Sequence, residues 1–217
     1  MPFRDRTHAG QELGLRLVEW AGPGDPTDVL VLALPPGGVP VACEVARALH
    51  APLDVLAAGE ISTPIRPETP IGAVVADDPP LYDRRSLAMM HLSEDRLGDV
   101  VVHERNELHR REYLYRGRRP PPSVGGRTVV LVDDGLTTGL TASAALRFLR
   151  RHGPARLVLA VPVGSARTVA ALRPECDDLV CLEQPPGLHV AGEWYEDFGR
   201  ITDTQVARTL HAFHATA

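Results

Sequence analysis

The stretch Thr128-Val129-Val130-Leu131-Val132-Asp133-Asp134-Gly135-Leu136-Thr137-Thr138-Gly139-Leu140-Thr141 decides how the chain is read. Residues 128–132 are β-prone and show no polar alternation, the pattern of a strand buried on both faces. That strand ends on two adjacent carboxylates. Gly135 and Gly139 then punctuate a threonine-rich loop, and an Ala-rich run of helix formers follows to Arg151. The junction gathers backbone N–H groups, hydroxyls and the positive end of a helix at one point, which marks a phosphate site. Paired acids at the carboxyl edge of a strand can accept from two vicinal hydroxyls, so acids and loop together fit a ribose 5-phosphate. A Walker loop requires Gly-x-x-x-x-Gly-Lys, and the chain contains no lysine. A Rossmann fingerprint is missing too.

Four apolar residues, two acids and a Thr-Gly-x-Thr loop resemble the donor signature of type I phosphoribosyltransferases. Residues 4–10, 34–44, 64–74, 126–141 and 194–198 also resemble an uncharacterised bacterial branch of that family. The resemblance implies an α/β fold with a mainly parallel twisted sheet flanked by helices, and a small C-terminal hood at about 183–200. It implies one phosphoribosyltransferase-like domain over 1–217. In its terms Asp133 and Asp134 hold the ribose hydroxyls and act in catalysis, and Gly135, Leu136, Thr137, Thr138, Gly139, Leu140 and Thr141 hold the 5-phosphate. Pro35, Pro36, Gly37 and Gly38 form the loop that cradles pyrophosphate through backbone N–H groups, with a cis peptide that Pro36 makes inexpensive. Phosphoribosyl pyrophosphate is the implied donor, Mg²⁺ is held mainly through donor and water, and the expected assembly is a homodimer.

Three departures from the family pattern bear on function. Relatives read Pro-Arg-Gly-Gly where this chain has Pro36, and Arg-Lys where it has Gly59-Glu60, ahead of Pro64-Ile65-Arg66-Pro67-Glu68. With an effective dielectric near 20, one unit pair about 5 Å apart is worth about 3 kcal/mol, so reversing a charge beside pyrophosphate matters. Purine-salvage members carry an Asp base at the position of Thr137, which argues against hypoxanthine or guanine as acceptor. Glu60 is the candidate replacement base, or the counter-ion of a cationic acceptor such as an amine or amino sugar. His189, Trp194 and Tyr195 are the candidate acceptor contacts in the hood, where His189 falls at the base-stacking place, and Arg200 lies one position out of register with a pyrophosphate-contacting Arg. The alternative is a degenerate member that binds a ribose phosphate or nucleotide as a sensing module.

Composition narrows the remaining classes. A formal net charge of −5 argues against nucleic acid as partner, and an apolar fraction of 44% suffices for a substantial core. Cys43 and Cys181 lie in apolar runs, and three cysteines with Cys176 cannot all pair, which reads as reduced thiols of a cytoplasmic protein. The apolar runs fall short of the roughly 20 residues a membrane helix needs.

Along the chain the periodicity predicts helices at 9–20, 39–49, 92–115, 166–172 and 204–213, and strands at 29–34, 53–57, 71–76, 157–163 and 178–182. Residues 77–93 read as a loop or lid. Residues Leu97, Val100, Val101, Leu108 and Leu114 should face inward in the long helix, leaving Glu104, Arg105, Glu107, Arg110, Arg111 and Glu112 outward. There His103-Glu104-Arg105-Asn106-Glu107 misses a zincin motif by its last residue. Arg110, Arg111, Arg116, Arg118 and Arg119 read as a solvated helix end, a subunit contact or an anion site.

Overall fold

The computed structural model describes residues 2–22, 28–63 and 66–216. Its centre is a five-stranded parallel sheet, built from β1 (Val29–Ala33), β2 (Leu53–Val55), β6 (Thr128–Val132), β7 (Arg156–Val163) and β8 (Asp178–Glu183). The spatial order is β2-β1-β6-β7-β8, which puts β6, the strand ending in the two acids, in the middle. All five residues of β6 are buried. Their side chains alternate between two cores, as a pleated strand requires. Val129 and Leu131 pack with Leu146 and Leu149, whereas Val130 and Val132 pack with Leu13, Leu17, Val41 and Phe213.

Helices cover both faces, as parallel strands need. α1 (Arg6–Ala21), α2 (Gly38–Ala48) and α7 (Asp203–Thr216) bring Leu13, Val41 and Phe213 to one face, and α5 (Leu140–Arg151) brings Leu146 and Leu149 to the other. α6 (Ala166–Leu172) connects β7 to β8. The stop cluster after α1 falls at residues 22–24, of which Pro23 and Gly24 lie outside the described residues, as do Pro64 and Ile65.

The second layer differs from the sequence expectation. The strand expected at 53–57 ends at Val55, and β3 (Ala58–Thr63) leaves the parallel sheet to pair antiparallel with β4 (Arg66–Val75). Residues 77–93 are also more than a loop: β5 (Leu81–Tyr82) adds a third strand and α3 (Arg84–Met89) follows, with Asp83 capping the helix through its side chain. The turn-rich Asp-Asp-Pro-Pro run masked these short elements, which are stabilised by packing of Leu87 and Tyr82 against the hairpin.

The predicted 92–115 helix is divided. A 3₁₀ turn at Glu94–Leu97 leads into α4 (Gly98–Arg116). Leu97, Val101 and Leu108 face the hairpin core with Ile61, Ile71 and Val74. Leu114 is outside at 39% exposure, and Tyr115 takes the inward place with its hydroxyl on Asp203 Oδ1 at 2.7 Å. The apolar spacing could not rank Leu114 against its aromatic neighbour, because that choice depends on α7 lying alongside.

Candidate functional site

Asp133 and Asp134 emerge at the carboxyl end of β6, between β1 and β7, and both line a cleft of about 940 Å³. The cleft floor is the Pro35–Gly38 turn after β1, and one wall is the β3 end with Glu60 and the face of α4 bearing Asp99, His103, Glu104 and Arg111. Beside it, a smaller hollow of about 50 Å³ is formed by Gly135, Leu136, Thr137, Thr138, Gly139, Thr141 and Ala142, with Asp133 and Glu60 at its lip.

That hollow has the makings of an anion cradle. The amides of Thr137, Thr138, Gly139 and Thr141 donate to no acceptor among the described residues, and only Leu140 N approaches a side chain, Thr138 Oγ1 at 3.4 Å. Open amides at the start of α5 carry the positive end of the helix dipole toward whatever lies there. Gly139 adopts φ +73°, the left-handed turn that lets the loop double back into α5, and the space where a side chain would start is already taken by Thr168 of α6. Thr168 also donates from Oγ1 to Thr137 O at 2.6 Å, so α6 buttresses the loop from behind. Leu136 differs from the expectation for a phosphate contact. Its amide donates to Val163 O at 2.9 Å and its side chain is buried in the core, so it anchors the loop to β7.

The paired acids are not equivalent. Asp133 Oδ1 accepts from the Asp134 amide at 2.9 Å. Its carboxyl is pushed well above the usual carboxylate range, first by desolvation, then by the neighbouring charge of Asp134, with Glu60 adding to it. Asp134 Oδ2 accepts from Arg6 Nε at 2.7 Å, and the Arg6 guanidinium lies 3.7 Å from the Phe198 ring centroid while Nη1 donates to Gly199 O at 2.9 Å. Tyr195 donates its hydroxyl to Asp134 O at 2.6 Å. Burial, followed by the Asp134 charge, raises the Tyr195 phenol, which therefore stays protonated as the donor. Arg6 and Tyr195 thus fix the strand end from the N-terminal helix and from the hood.

The other expected residues divide. The Pro35–Pro36 peptide is cis. Gly37 sits so close to Asp134 that a Cβ there would lie 2.0 Å from Oδ2, which brings loop and acids into one site. The loop supplies little of the expected amide cradle: two of its four residues are prolines without N–H, and Gly38 N is engaged by Leu34 O at 2.9 Å. Glu60 faces the cleft with its carboxyl raised, by desolvation first and by Glu104 second. In the hood, His189 is exposed and absent from the cleft lining. Tyr195 is buried with Phe3 and Ala191, and Trp194 packs against that cluster, so these aromatics serve the hood's own core. The expected acceptor contacts therefore lie away from the open space, since few aromatics were available to seal the chain's two ends together.

Sequence reasoning passed over Arg6, His103, Glu104 and Asp99 as site residues. Arg6 lay within a segment that already resembled the family, and His103-Glu104 drew notice only as a near-zincin. Among the described residues, no cluster of three or more His, Cys, Asp or Glu is placed to hold a metal by itself. Arg116 is no solvated helix end, since its side chain is only 9% exposed and donates to Asp54 Oδ1 at 2.8 Å.

A mainly parallel sheet with paired carboxylates and an open-amide loop at its carboxyl edge defines an α/β protein whose candidate site lies at a strand–loop–helix junction. Residues 22–197 match the phosphoribosyl transferase domain family, and the chain belongs to it, as a type I phosphoribosyltransferase family member. It is 38% identical over 212 residues to the Mycobacterium tuberculosis H37Rv protein named "Putative phosphoribosyl transferase Rv0571c", covering 98% of this chain and 47% of that one. The chain thus spans about half the length of the curated relatives it matches. The crystal structure of TT1426 from Thermus thermophilus superposes with a TM-score of 0.78 at 37% identity, covering 98% of this chain and 99% of that one.

Proposed function

We propose that the chain transfers a 5-phosphoribosyl group from phosphoribosyl pyrophosphate to a nitrogen of a small cationic acceptor, an amine or amino sugar. The observation that carries this reading is the row of open amides at 137–141 placed beside Asp133 and Asp134 in one cleft. The amides and the hydroxyls of Thr137, Thr138 and Thr141 hold the 5-phosphate. Asp133 and Asp134 accept from the ribose 2- and 3-hydroxyls. As the bond from C1 to the pyrophosphate oxygen breaks, the electron pair leaves with pyrophosphate and positive charge grows on the ribose ring. Carboxylates fixed beside that ring stabilise the charge more in the transition state than in the ground state.

Magnesium fits this arrangement through the chemistry of its oxygen donors: the carboxylates of Asp133 and Asp134 share the cleft with Glu60, and hard oxygen ligands suit that ion. Bound with the donor, the ion would supply charge neutralisation for the leaving group, held mainly through donor and water, and Asp133 and Asp134 are the residues that would hold it from the protein side. The acceptor side is acidic, with Glu60, Glu104 and Asp99 lining it, which favours a cationic acceptor over a neutral base. Glu60, its carboxyl raised, takes the proton that the attacking nitrogen loses. A cytoplasmic homodimer forming a single domain over this chain is part of the same reading.

The competing reading is a sensing module that binds the donor without turning it over, favoured by the lack of basic side chains at 36, 59 and 60. Pyrophosphate release with Mg²⁺, the donor and a panel of amines separates the two. Release with any amine supports transfer. Donor binding by calorimetry without release across the panel supports the module, and failure to bind the donor at all defeats both.

A further inference from the structure

Resting on that reading, we propose that Arg111 of α4 binds the terminal phosphate of the donor's pyrophosphate, taking over from the basic residues absent at positions 36, 59 and 60. The need for such a group follows from the cleft itself. The acceptor wall beside the turn carries Glu60, Asp99 and Glu104, which repel a polyphosphate next to them, and the Pro35–Gly38 turn leaves only the Gly37 amide open among its four residues. A pyrophosphate placed there requires a cation from another element.

Two arginines line the cleft, and they differ in what they already hold. Arg6 is committed to Asp134, Gly199 and the Phe198 ring. Arg111 is not. Its Nε is buried with no hydrogen-bond partner among the described residues, so the protein leaves the guanidinium incompletely paired, while the side chain as a whole stays 33% exposed. Its ion pair with Asp203 spans 3.7 Å from Nε to Oδ1, too long for a hydrogen bond, and the same carboxylate accepts from Tyr115 and from Arg110.

Position points the same way. A second groove, about 720 Å³, opens from the Pro36 edge, and its charged lining is Arg6, Arg110, Arg111 and Arg200 against one carboxylate, Asp203. Arg6, Pro36, Arg111 and Phe198 border both spaces, so the groove continues the cleft past the pyrophosphate turn and away from the acidic wall. Arg111 stands at this junction, one side chain between a chamber rich in carboxylates and a groove in which arginines outnumber Asp203. A diphosphate extending over Pro36 meets its guanidinium first, where the planar fork pairs with two phosphate oxygens. The cation has moved from the loop that touches the donor to a helix packed across the hairpin, a change that motif comparison along the sequence cannot register.

The test is calorimetry with three probes in the presence of Mg²⁺: phosphoribosyl pyrophosphate, inorganic pyrophosphate and ribose 5-phosphate. In Arg111→Gln the first two should bind about 10–100-fold more weakly while ribose 5-phosphate binds as in the wild type, and Arg111→Lys should recover part of the loss. Equal binding of pyrophosphate to wild type and Arg111→Gln overturns the assignment, as does a parallel loss for ribose 5-phosphate, which would place Arg111 in the architecture of the whole site. Wild-type protein that takes ribose 5-phosphate but not pyrophosphate also overturns it, and leaves the sugar-phosphate reading standing. If the wild type binds none of the three, the functional reading itself fails.

Discussion

The two ends of the cleft are built on different principles. The end proposed to receive the sugar phosphate is made of backbone: amides of residues 137–141, a left-handed Gly139, and a strand end held by Tyr195 and Arg6. The end proposed to face pyrophosphate and acceptor is made of side chains contributed by β3, α4 and the residues before α7, and it carries Pro36, Gly59 and Glu60 at the positions where the family pattern is basic. Backbone donors depend on fold and glycine placement and tolerate little change, whereas a charge on a long side chain can be delivered from several elements. Such a site can keep its donor grip while its chemistry at the other end is reassigned.

The largest effect should come from the grip at the backbone end. Asp133→Asn is expected to lower kcat/KM on the order of 10²–10³-fold in the pyrophosphate-release assay, and at the same time to stabilise the fold. The native Asp133 carboxyl is raised above its unfolded value of about 3.9. Its contribution to stability is therefore present in acid and is lost as pH rises through the native value. Asn escapes that loss. The variant should melt about 2–4 °C higher at neutral pH for each kcal/mol relieved, with no difference below pH ~4. A melting curve that drops at neutral pH would place Asp133 in a structural role.

The side-chain end comes next. Glu60→Gln should lower turnover by about 10²-fold with donor binding little changed, and the remaining activity should lose the acidic limb of its pH profile. Since the Glu60 carboxyl is raised, that limb lies above the ordinary glutamate range in the wild type. Unchanged kinetics would remove Glu60 from proton transfer and leave it as a counter-ion.

A smaller change tests the hood as a clamp. Tyr195→Phe removes the 2.6 Å hydrogen bond to Asp134 O and leaves that carbonyl unpaired, which should cost about 1 kcal/mol in chemical denaturation and raise KM for the donor several-fold. An unaltered KM would mean that Arg6 alone suffices to set the strand end. The smallest effect is expected at His189, exposed and away from the cleft: His189→Ala should leave stability within about 0.5 kcal/mol and acceptor kinetics unchanged. A large loss for one acceptor would return the hood tip to the binding site.

Residues 128–151 were legible because every signal in them is local. A β-prone run, two acids, glycines at the turn and helix formers beyond lie within one strand–loop–helix unit, and no distant partner alters that reading. The same holds for β7, α6 and β8, whose bounds were read within a residue or so. Residues 53–93 were less legible, because β3 leaves one sheet for another and β5 and α3 are too short to declare themselves without their packing partners.

The sequence by itself determined the parallel core and the strand–loop–helix junction proposed to grip a sugar phosphate, since hydrophobic period, adjacent carboxylates and turn glycines act over short distances along the chain. Tertiary structure alone decided which charges surround that grip. Arg6 reaches Asp134 across 128 positions, Arg111 and Glu104 arrive from a helix packed on the hairpin, and the hood aromatics turn inward to a core. Electrostatic environment is a property of distances in space, and a linear pattern does not carry those distances until the sheet and hairpin have been assembled.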